Sequence, residues 1–183
     1  MYLIIGLGNP GPDYEKTRHN LGRNTVLAWG LGLGCDFKKF KTVAQVSEFK
    51  IGSAKILLCL PETFMNDSGL AVKAVAKFYK IPAAKMVVVY DDLALPFGQL
   101  RLAVNHSSGG HNGVQSVIDH LGSRDFIRLR LGIGPQLGSA EKFVLHKFSA
   151  GQLKNLPAVL ARGQEALEAL IELGLDKAAA RFN

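Results

Sequence analysis

The chain begins MYLIIGLGNPGPDYEKTRHN (residues 1–20), a short apolar strand followed by a glycine-rich loop. Gly6, Gly8 and Gly11 give the spacing G-x-G-x-x-G directly after the strand, which is the pattern of a dinucleotide-binding loop. That pattern also requires a helix whose N-terminus faces the pyrophosphate, and Pro12 works against a helix that begins inside the glycine motif. The loop therefore argues against a dinucleotide site at the end of the first strand and favours a different role for it.

A dinucleotide fold also needs an acidic residue at the end of a second strand, about 20 residues further on. Asp36 lies in that region, but the segment WGLGLGCDF is typical of a helix that ends at glycine. A better helix start lies near Thr17, an N-cap candidate ahead of Leu21, Thr25 and Ala28. A nucleotide-dependent oxidoreductase stays open only as an alternative.

The composition is that of a globular protein. The chain has 183 residues, 48% of them hydrophobic and 20% charged, which fits one domain over 1–183 with a substantial core. It lacks a signal-peptide pattern after Met1 and any run of about 20 apolar residues, so we expect a cytoplasmic protein without a membrane partner. Cys35 and Cys59 lack metal-type spacing and are too few for a disulfide framework.

The charge balance favours a polyanionic partner. Twenty-two Lys and Arg residues against fifteen Asp and Glu residues give a net charge of +7 and a sequence pI near 9.5. Nucleic acid is the natural candidate, although a basic protein can carry such a charge without any partner.

Hydrophobic periodicity predicts an α/β fold in a single domain. Strand patterns occupy residues 2–7, 43–51, 54–60, 86–91, 99–104 and 126–133, and helical patterns occupy 69–80, 112–121 and 156–174. The segment QVSEFKIGSAKILLCL predicts a β-hairpin, which makes the sheet mixed rather than purely parallel.

Polar residues follow three of the predicted strands. Asn9 follows the first strand, Asn66 follows ILLCLPETFM, and Asp91 follows MVVVY. Ligands of open α/β sheets bind at the carboxyl edge of the strands, so these side chains mark one candidate site.

His19 is the candidate general base, because an imidazole titrates near neutral pH. A carboxylate at Asp91 can accept the other ring N–H and hold the tautomer, as the acid of a catalytic triad does. Asn9, Asn66 and Asn112 can hold a substrate amide or a water without adding charge. Local capping of a turn or helix remains the alternative for each asparagine, and a solvated capping role for His19.

Other hydrolytic chemistries have less support. The chain has no G-x-S-x-G elbow and no H-E-x-x-H or similar metal-ligand spacing. Water activated by histidine, without a metal or a covalent enzyme intermediate, is the simplest hypothesis, and an ester is an easier target than an amide.

Six motifs together resemble bacterial peptidyl-tRNA hydrolase. They are G-L-G-N-P-G at 6–11, Y-x-x-T-R-H-N at 14–20, T-F-M-N-D-S-G at 63–69, D-D-L-x-L-P-x-G at 91–98, G-G-H-N-G at 109–113 and R-L-R-L-G-I-G at 128–134. The resemblance runs from Met1 through the C-terminal helix and implies hydrolysis of the ester between a peptide and tRNA, by a monomer without a cofactor or metal. It also implies a twisted mixed sheet flanked by helices and a mobile lid, PQLGSAEKFVLHKF (135–148).

The resemblance assigns roles residue by residue. His19 matches the catalytic base and Asp91 its orienting partner. The implied substrate-binding residues are Asn9, Tyr14, Phe64, Asn66, His111 and Asn112, and the candidate contacts to tRNA phosphates are Arg101, Arg130, Lys142 and Lys147. A tRNA-binding module without catalysis is the remaining alternative.

Overall fold

Seven strands form one mixed sheet in the computed structural model, which describes residues 1–136 and 138–183. The strands are β1 (Tyr2–Gly6), β2 (Lys38–Phe40), β3 (Ala44–Ile51), β4 (Ala54–Pro61), β5 (Met86–Pro96), β6 (Leu100–Val104) and β7 (Ile127–Gly134). Their order is β2-β3-β4-β1-β5-β7-β6. β1 lies parallel to β4 and β5, and β5 lies parallel to β7, whereas the pairs β2–β3, β3–β4 and β6–β7 are antiparallel.

Helices cover both faces of the sheet. They are α1 (Leu21–Gly32), α2 (Ser68–Tyr79), α3 (Asn112–Leu121), α4 (Ala140–Leu145), α5 (Ala150–Leu173) and α6 (Leu175–Phe182). Alternate residues of β1 face opposite cores, as a strand requires: Ile4 packs with α1, α5 and α6, while Leu3 and Ile5 pack with α2 and α3. No helix within 1–136 or 138–183 is long and apolar enough to cross a membrane.

The predicted α/β fold with a mixed sheet and flanking helices is confirmed, including the β3–β4 hairpin. β5 continues to Pro96, well past the predicted end, and α1 begins at Leu21 after a short 3₁₀ turn over Arg18–Asn20. β2 and α6 were not predicted. β2 has only three residues, two of them exposed lysines at the sheet edge, so no apolar alternation marks it.

The segment 135–148, expected to be a lid, contains α4. Leu137 lies outside the described residues. Phe143 of α4 and Phe148 just after it are buried, so α4 is packed onto the domain by one face while Lys142 stays exposed.

Two glycines bring the start of α1 down onto the sheet. A Cβ on Gly22 would lie 2.2 Å from the carbonyl oxygen of Val89, and a Cβ on Gly8 would lie 2.6 Å from Cβ of Arg23. The backbone N–H of Arg23 donates to the carbonyl of Leu7 at 2.8 Å. The glycine loop therefore seats α1 against β1 and β5, and this close approach sets the position of the 3₁₀ turn before α1.

Candidate active site

His19 and Asp91 meet at the carboxyl edge of the parallel strands. His19 lies in the 3₁₀ turn before α1, and Asp91 lies on β5, two residues after Val89, on which Gly22 rests. Nδ1 of His19 lies 3.0 Å from each carboxylate oxygen of Asp91. The predicted pair is thus within hydrogen-bond distance, and it leaves Nε2 of His19 free of this interaction.

His111 is a second histidine on the same carboxylate. As the N-cap residue of α3 it accepts a hydrogen bond at Nδ1 from the backbone N–H of Val114, at 3.3 Å. A neutral ring that accepts at Nδ1 carries its proton on Nε2, and that nitrogen lies 3.1 Å from Oδ1 of Asp91. Asp91 therefore accepts from two imidazoles, whose ring centroids lie 4.8 Å apart.

The Asp91 carboxylate is held in its ionised form. Its side chain is 1% exposed, and burial alone raises the pKa of a carboxyl group. The adjacent His19 and His111 rings and their hydrogen bonds outweigh that effect, so the pKa of Asp91 lies below its ordinary value. A fixed anion on Nδ1 of His19 keeps that nitrogen protonated and stabilises the imidazolium that forms when Nε2 takes a proton.

The same three side chains could be considered as metal ligands, since their ligand atoms lie within 4.8 Å of one another. The hydrogen bonds argue against this arrangement. Nδ1 of His111 already accepts from Val114, so a cation on Nε2 would require the ring to lose its remaining proton. The cluster suits shared protons better than a metal ion, and the expectation of a metal-free site stays a prediction.

Two adjoining cavities open beside His19, and together they are called the cleft here. The first, about 470 Å³, is lined by Asp91, His111 and Arg130 among others. The second, about 420 Å³, lies on the other side of His19. The predicted substrate-binding residues that line the second cavity are Asn9, Tyr14, Phe64, Asn66 and Asn112. His19 and Asn112 line both, so the structure brings the predicted site together around His19.

Asn9 is fixed by contacts across the fold rather than within its own turn. Its Oδ1 accepts from the backbone N–H of Met65 at 2.7 Å. The side chain of Asn20 donates to the Asn9 carbonyl and accepts from the Asn9 N–H, each at 2.8 Å. Within the described residues Nδ2 of Asn9 makes no hydrogen bond, so it is a donor available to the second cavity.

Asn66 and Asn112 are exposed and do not cap the following helices. The N-cap positions belong to Asp67 for α2 and to His111 for α3. The local-capping alternative is therefore wrong for both asparagines.

An aromatic pair borders the second cavity. Tyr14 and Phe64 meet edge to face with their ring centroids 6.2 Å apart, and Phe64 is 60% exposed. An exposed ring of this size beside polar amides gives the cavity one apolar wall.

The four predicted phosphate contacts, which are called the basic flank here, are Arg101, Arg130, Lys142 and Lys147. Arg130 lines the first cavity, and its Nε donates to Asp92 Oδ2 at 2.5 Å. Arg101 lies opposite Arg130 in the β6–β7 register and is exposed, as are Lys142 on α4 and Lys147 after it.

Sequence reasoning missed two residues of the site. Asn20 holds Asn9, and Glu141 of α4 lines both cavities. Asn20 adjoins His19 in a run of polar residues that precedes an apolar helix, which was an available signal. Glu141 had no such signal, because the position of α4 over the cleft depends on contacts distant in sequence.

Comparison with known proteins decides the family. The family model described as peptidyl-tRNA hydrolase matches residues 3–183. The chain belongs to the peptidyl-tRNA hydrolase family. It is 44% identical to the peptidyl-tRNA hydrolase of Carboxydothermus hydrogenoformans, with 100% of this chain and 98% of that protein covered. It is 42% identical to the protein of that name from Chloroflexus aggregans, with 100% and 99% covered.

Solved structures agree with the family. The crystal structure of peptidyl-tRNA hydrolase from Acinetobacter baumannii superposes with a TM-score of 0.92 at 32% identity, covering 100% of this chain and 94% of that one. The chain is thus an enzyme of a hydrolase family, and the dinucleotide-dependent alternative is wrong.

Proposed function

We propose that the chain hydrolyses the ester that joins a peptide to the 3′ end of tRNA, with His19 as general base. One observation carries the proposal: among the described residues nothing binds Nε2 of His19, which lines both cavities, while Nδ1 is bound to a buried carboxylate. This arrangement gives the imidazole a fixed tautomer and a stabilised cationic form, which general-base catalysis needs.

The reaction follows from that geometry. Nε2 of His19 removes a proton from water as the water oxygen bonds to the ester carbonyl carbon. The tetrahedral intermediate then breaks its bond to the ribose oxygen, and the proton on Nε2 passes to that leaving oxygen. Peptide and tRNA are released, and His19 returns to its neutral form.

The two cavities suit the two halves of the substrate. Nδ2 of Asn9 and the exposed amides of Asn66 and Asn112 can donate to peptide carbonyls, while Tyr14 and Phe64 contact apolar groups. We place the peptide in the second cavity and the terminal ribose toward the first. His111 holds Asp91 through its Nε2 and, because it also lines the first cavity, stays a candidate contact to the substrate.

Neither cysteine is a plausible nucleophile. Burial raises the pKa of the Cys59 thiol to about 12, so it is protonated at neutral pH. Cys35 lies beside β2, where it lines a cavity that none of the residues of the cleft shares.

tRNA binding is assigned to the basic flank. Arg101, Arg130, Lys142 and Lys147 contact phosphates without reading the base sequence, because an enzyme that serves every tRNA gains nothing from base contacts. The net charge of +7 supports this assignment. We also propose that the enzyme acts as a monomer, in the cytoplasm, as a single catalytic domain over 1–183.

The direct test is release of free tRNA from N-acetyl-aminoacyl-tRNA, compared with the unblocked aminoacyl-tRNA. We expect rapid release from the blocked form and much slower release from the unblocked form, which lacks the amide that the asparagines would hold. Binding of tRNA without release from either substrate would instead support the non-catalytic module.

A further inference from the structure

Arg18, the residue before His19, connects the His19 turn to the chain that follows α4. Its side-chain Nη1 donates to the carbonyl of Lys147 at 2.9 Å and to that of His146 at 3.2 Å. Its Nη2 donates to Oε1 of Gln152 at 3.1 Å. The backbone adds two links, since the Arg18 N–H donates to the His146 carbonyl at 3.1 Å and Thr17 bridges to Lys147.

The guanidinium is also packed between rings. Its Cζ lies 4.3 Å from the ring centroid of Phe143 and 5.5 Å from that of Phe148, and both rings are buried. Arg18 itself is 8% exposed, and burial lowers its pKa. Within the described residues no carboxylate accepts from it, and its Nε is buried without a partner.

Burying a cation without an anionic partner costs free energy, which the contacts of the guanidinium must offset. We therefore ask what those contacts hold in place. Here each contact lies on the α4 segment, defined as residues 140–152. The opposite side of α4 borders the cleft, where Glu141 and Val144 line both cavities and Leu145 lines the second. Fixing Phe143 and the carbonyl of His146 therefore fixes the wall of the cleft that faces His19.

We propose that Arg18 is a positioning residue that holds the α4 segment against the His19 turn and so sets the width of the cleft. One arginine then couples the backbone of the general base to the opposite wall. Its effect on turnover rests on the proposed function, whereas its effect on the α4 segment does not.

The test compares Arg18→Met, which keeps an unbranched apolar side chain but has no donors, with Arg162→Met on the exposed surface of α5. We expect amide hydrogen exchange over residues 140–152 to accelerate on the order of tenfold in Arg18→Met, with β1 and β5 unchanged. KM should rise on the order of tenfold while kcat and the pH profile change little, because the His19–Asp91 pair is intact. Arg162→Met should match the unmodified enzyme.

Two further variants keep the proposal testable if Arg18→Met folds poorly. Arg18→Lys retains the charge and a single donor nitrogen, so its KM should lie between those of Arg18→Met and the unmodified enzyme. Phe143→Leu removes the ring face and should show the same pattern with a smaller change. Exchange that is unchanged over 140–152, or that accelerates equally throughout the sheet, overturns the proposal.

Exchange is measured without substrate, so the two claims fail separately. If the unmodified enzyme releases no tRNA but Arg18→Met still loosens residues 140–152, the proposed function is wrong and the positioning role of Arg18 stands. If turnover is normal and KM does not respond to Arg18→Met, the positioning role is wrong and the proposed function stands.

Discussion

The two sides of the cleft are built differently. On the inner wall, His19, Asp91, His111 and Asn9 are buried or nearly so, and each is fixed by hydrogen bonds. The basic flank comprises Arg101, Arg130, Lys142 and Lys147. Three of these four side chains are exposed and make no hydrogen bond or ion pair within the described residues, while Arg130 pairs with Asp92.

This difference in burial and hydrogen bonding matches two different tasks, catalysis on the inner wall and tRNA binding on the basic flank. A general base must lie within hydrogen-bond reach of its water, so its position must be set by packing. Phosphates are bound by electrostatic attraction to basic side chains. This attraction acts over longer distances and tolerates mobile side chains, but it weakens as the salt concentration rises. Changes on the inner wall should therefore alter turnover independently of salt, and changes on the flank should alter the affinity for tRNA.

The largest effect is expected from His19→Ala. Removing the base should lower kcat by ~10²–10⁴-fold on both full peptidyl-tRNA and a minimal N-acyl nucleotide ester. The thermal midpoint and tRNA binding should change little. His106→Ala is the matched control, since His106 is exposed. Turnover by His19→Ala at the unmodified rate would contradict the mechanism.

Asp91→Asn should be the next largest change, with kcat lowered but not abolished, because the base remains but its cation loses the adjacent anion. The control is Asp92→Asn. Asp92 points to the opposite face of β5 yet also lines the first cavity, where it pairs with Arg130. Its replacement should alter KM for tRNA more than kcat. A loss of kcat as large as that of Asp91→Asn would show that the wrong carboxylate was assigned.

The lowered pKa of Asp91 predicts how stability responds to acid. A carboxyl group with a lowered folded-state pKa stabilises the fold above its unfolded value of roughly 3.9, and this contribution is lost as the pH falls further. The free energy of unfolding of the unmodified chain should therefore fall more steeply below about pH 4 than that of Asp91→Asn. Urea unfolding of both proteins between neutral pH and pH 3 checks this. Parallel curves would mean that Asp91 is not held as an anion.

The smallest effects should come from single lysines on the flank. Lys142→Ala or Lys147→Ala should weaken binding of every tRNA by about threefold near physiological salt and reduce the salt slope by roughly one unit or less. Turnover of the minimal ester should stay unchanged, because it lacks the phosphates. Unequal losses among different tRNAs would indicate contacts to bases.

The meeting of His19 with Asp91 could be predicted from the sequence, because both follow strands whose carboxyl ends share one edge. The bond from His111 to the same carboxylate could not, since it depends on the register of the α3 N-terminus against β5. The G-G-H-N-G motif placed His111 near the site but did not reveal its bond to Asp91, and its implied contact with substrate stays a prediction.

The position of the α4 segment over the cleft could not be predicted from the sequence either. The contacts of this segment with Arg18 join residues more than 125 positions apart in the chain, and no local pattern encodes such contacts. The glycine loop could be predicted in part. Its spacing suggested a dinucleotide site, but the close approach of α1 to β5 is what requires Gly22 to lack a Cβ, and the contact of the loop with Arg23 and Asn20 is what requires it of Gly8.

The most direct test measures how kcat/KM of the unmodified enzyme depends on salt. The two substrates are full N-acetyl-aminoacyl-tRNA and the minimal N-acyl nucleotide ester, and the comparison shows whether the inner wall and the basic flank have separate roles. We expect log kcat/KM to fall linearly with log salt for the full substrate and to stay nearly flat for the minimal ester. Equal slopes for the two substrates would contradict the account, because the basic flank would then act on the chemistry as well as on tRNA binding.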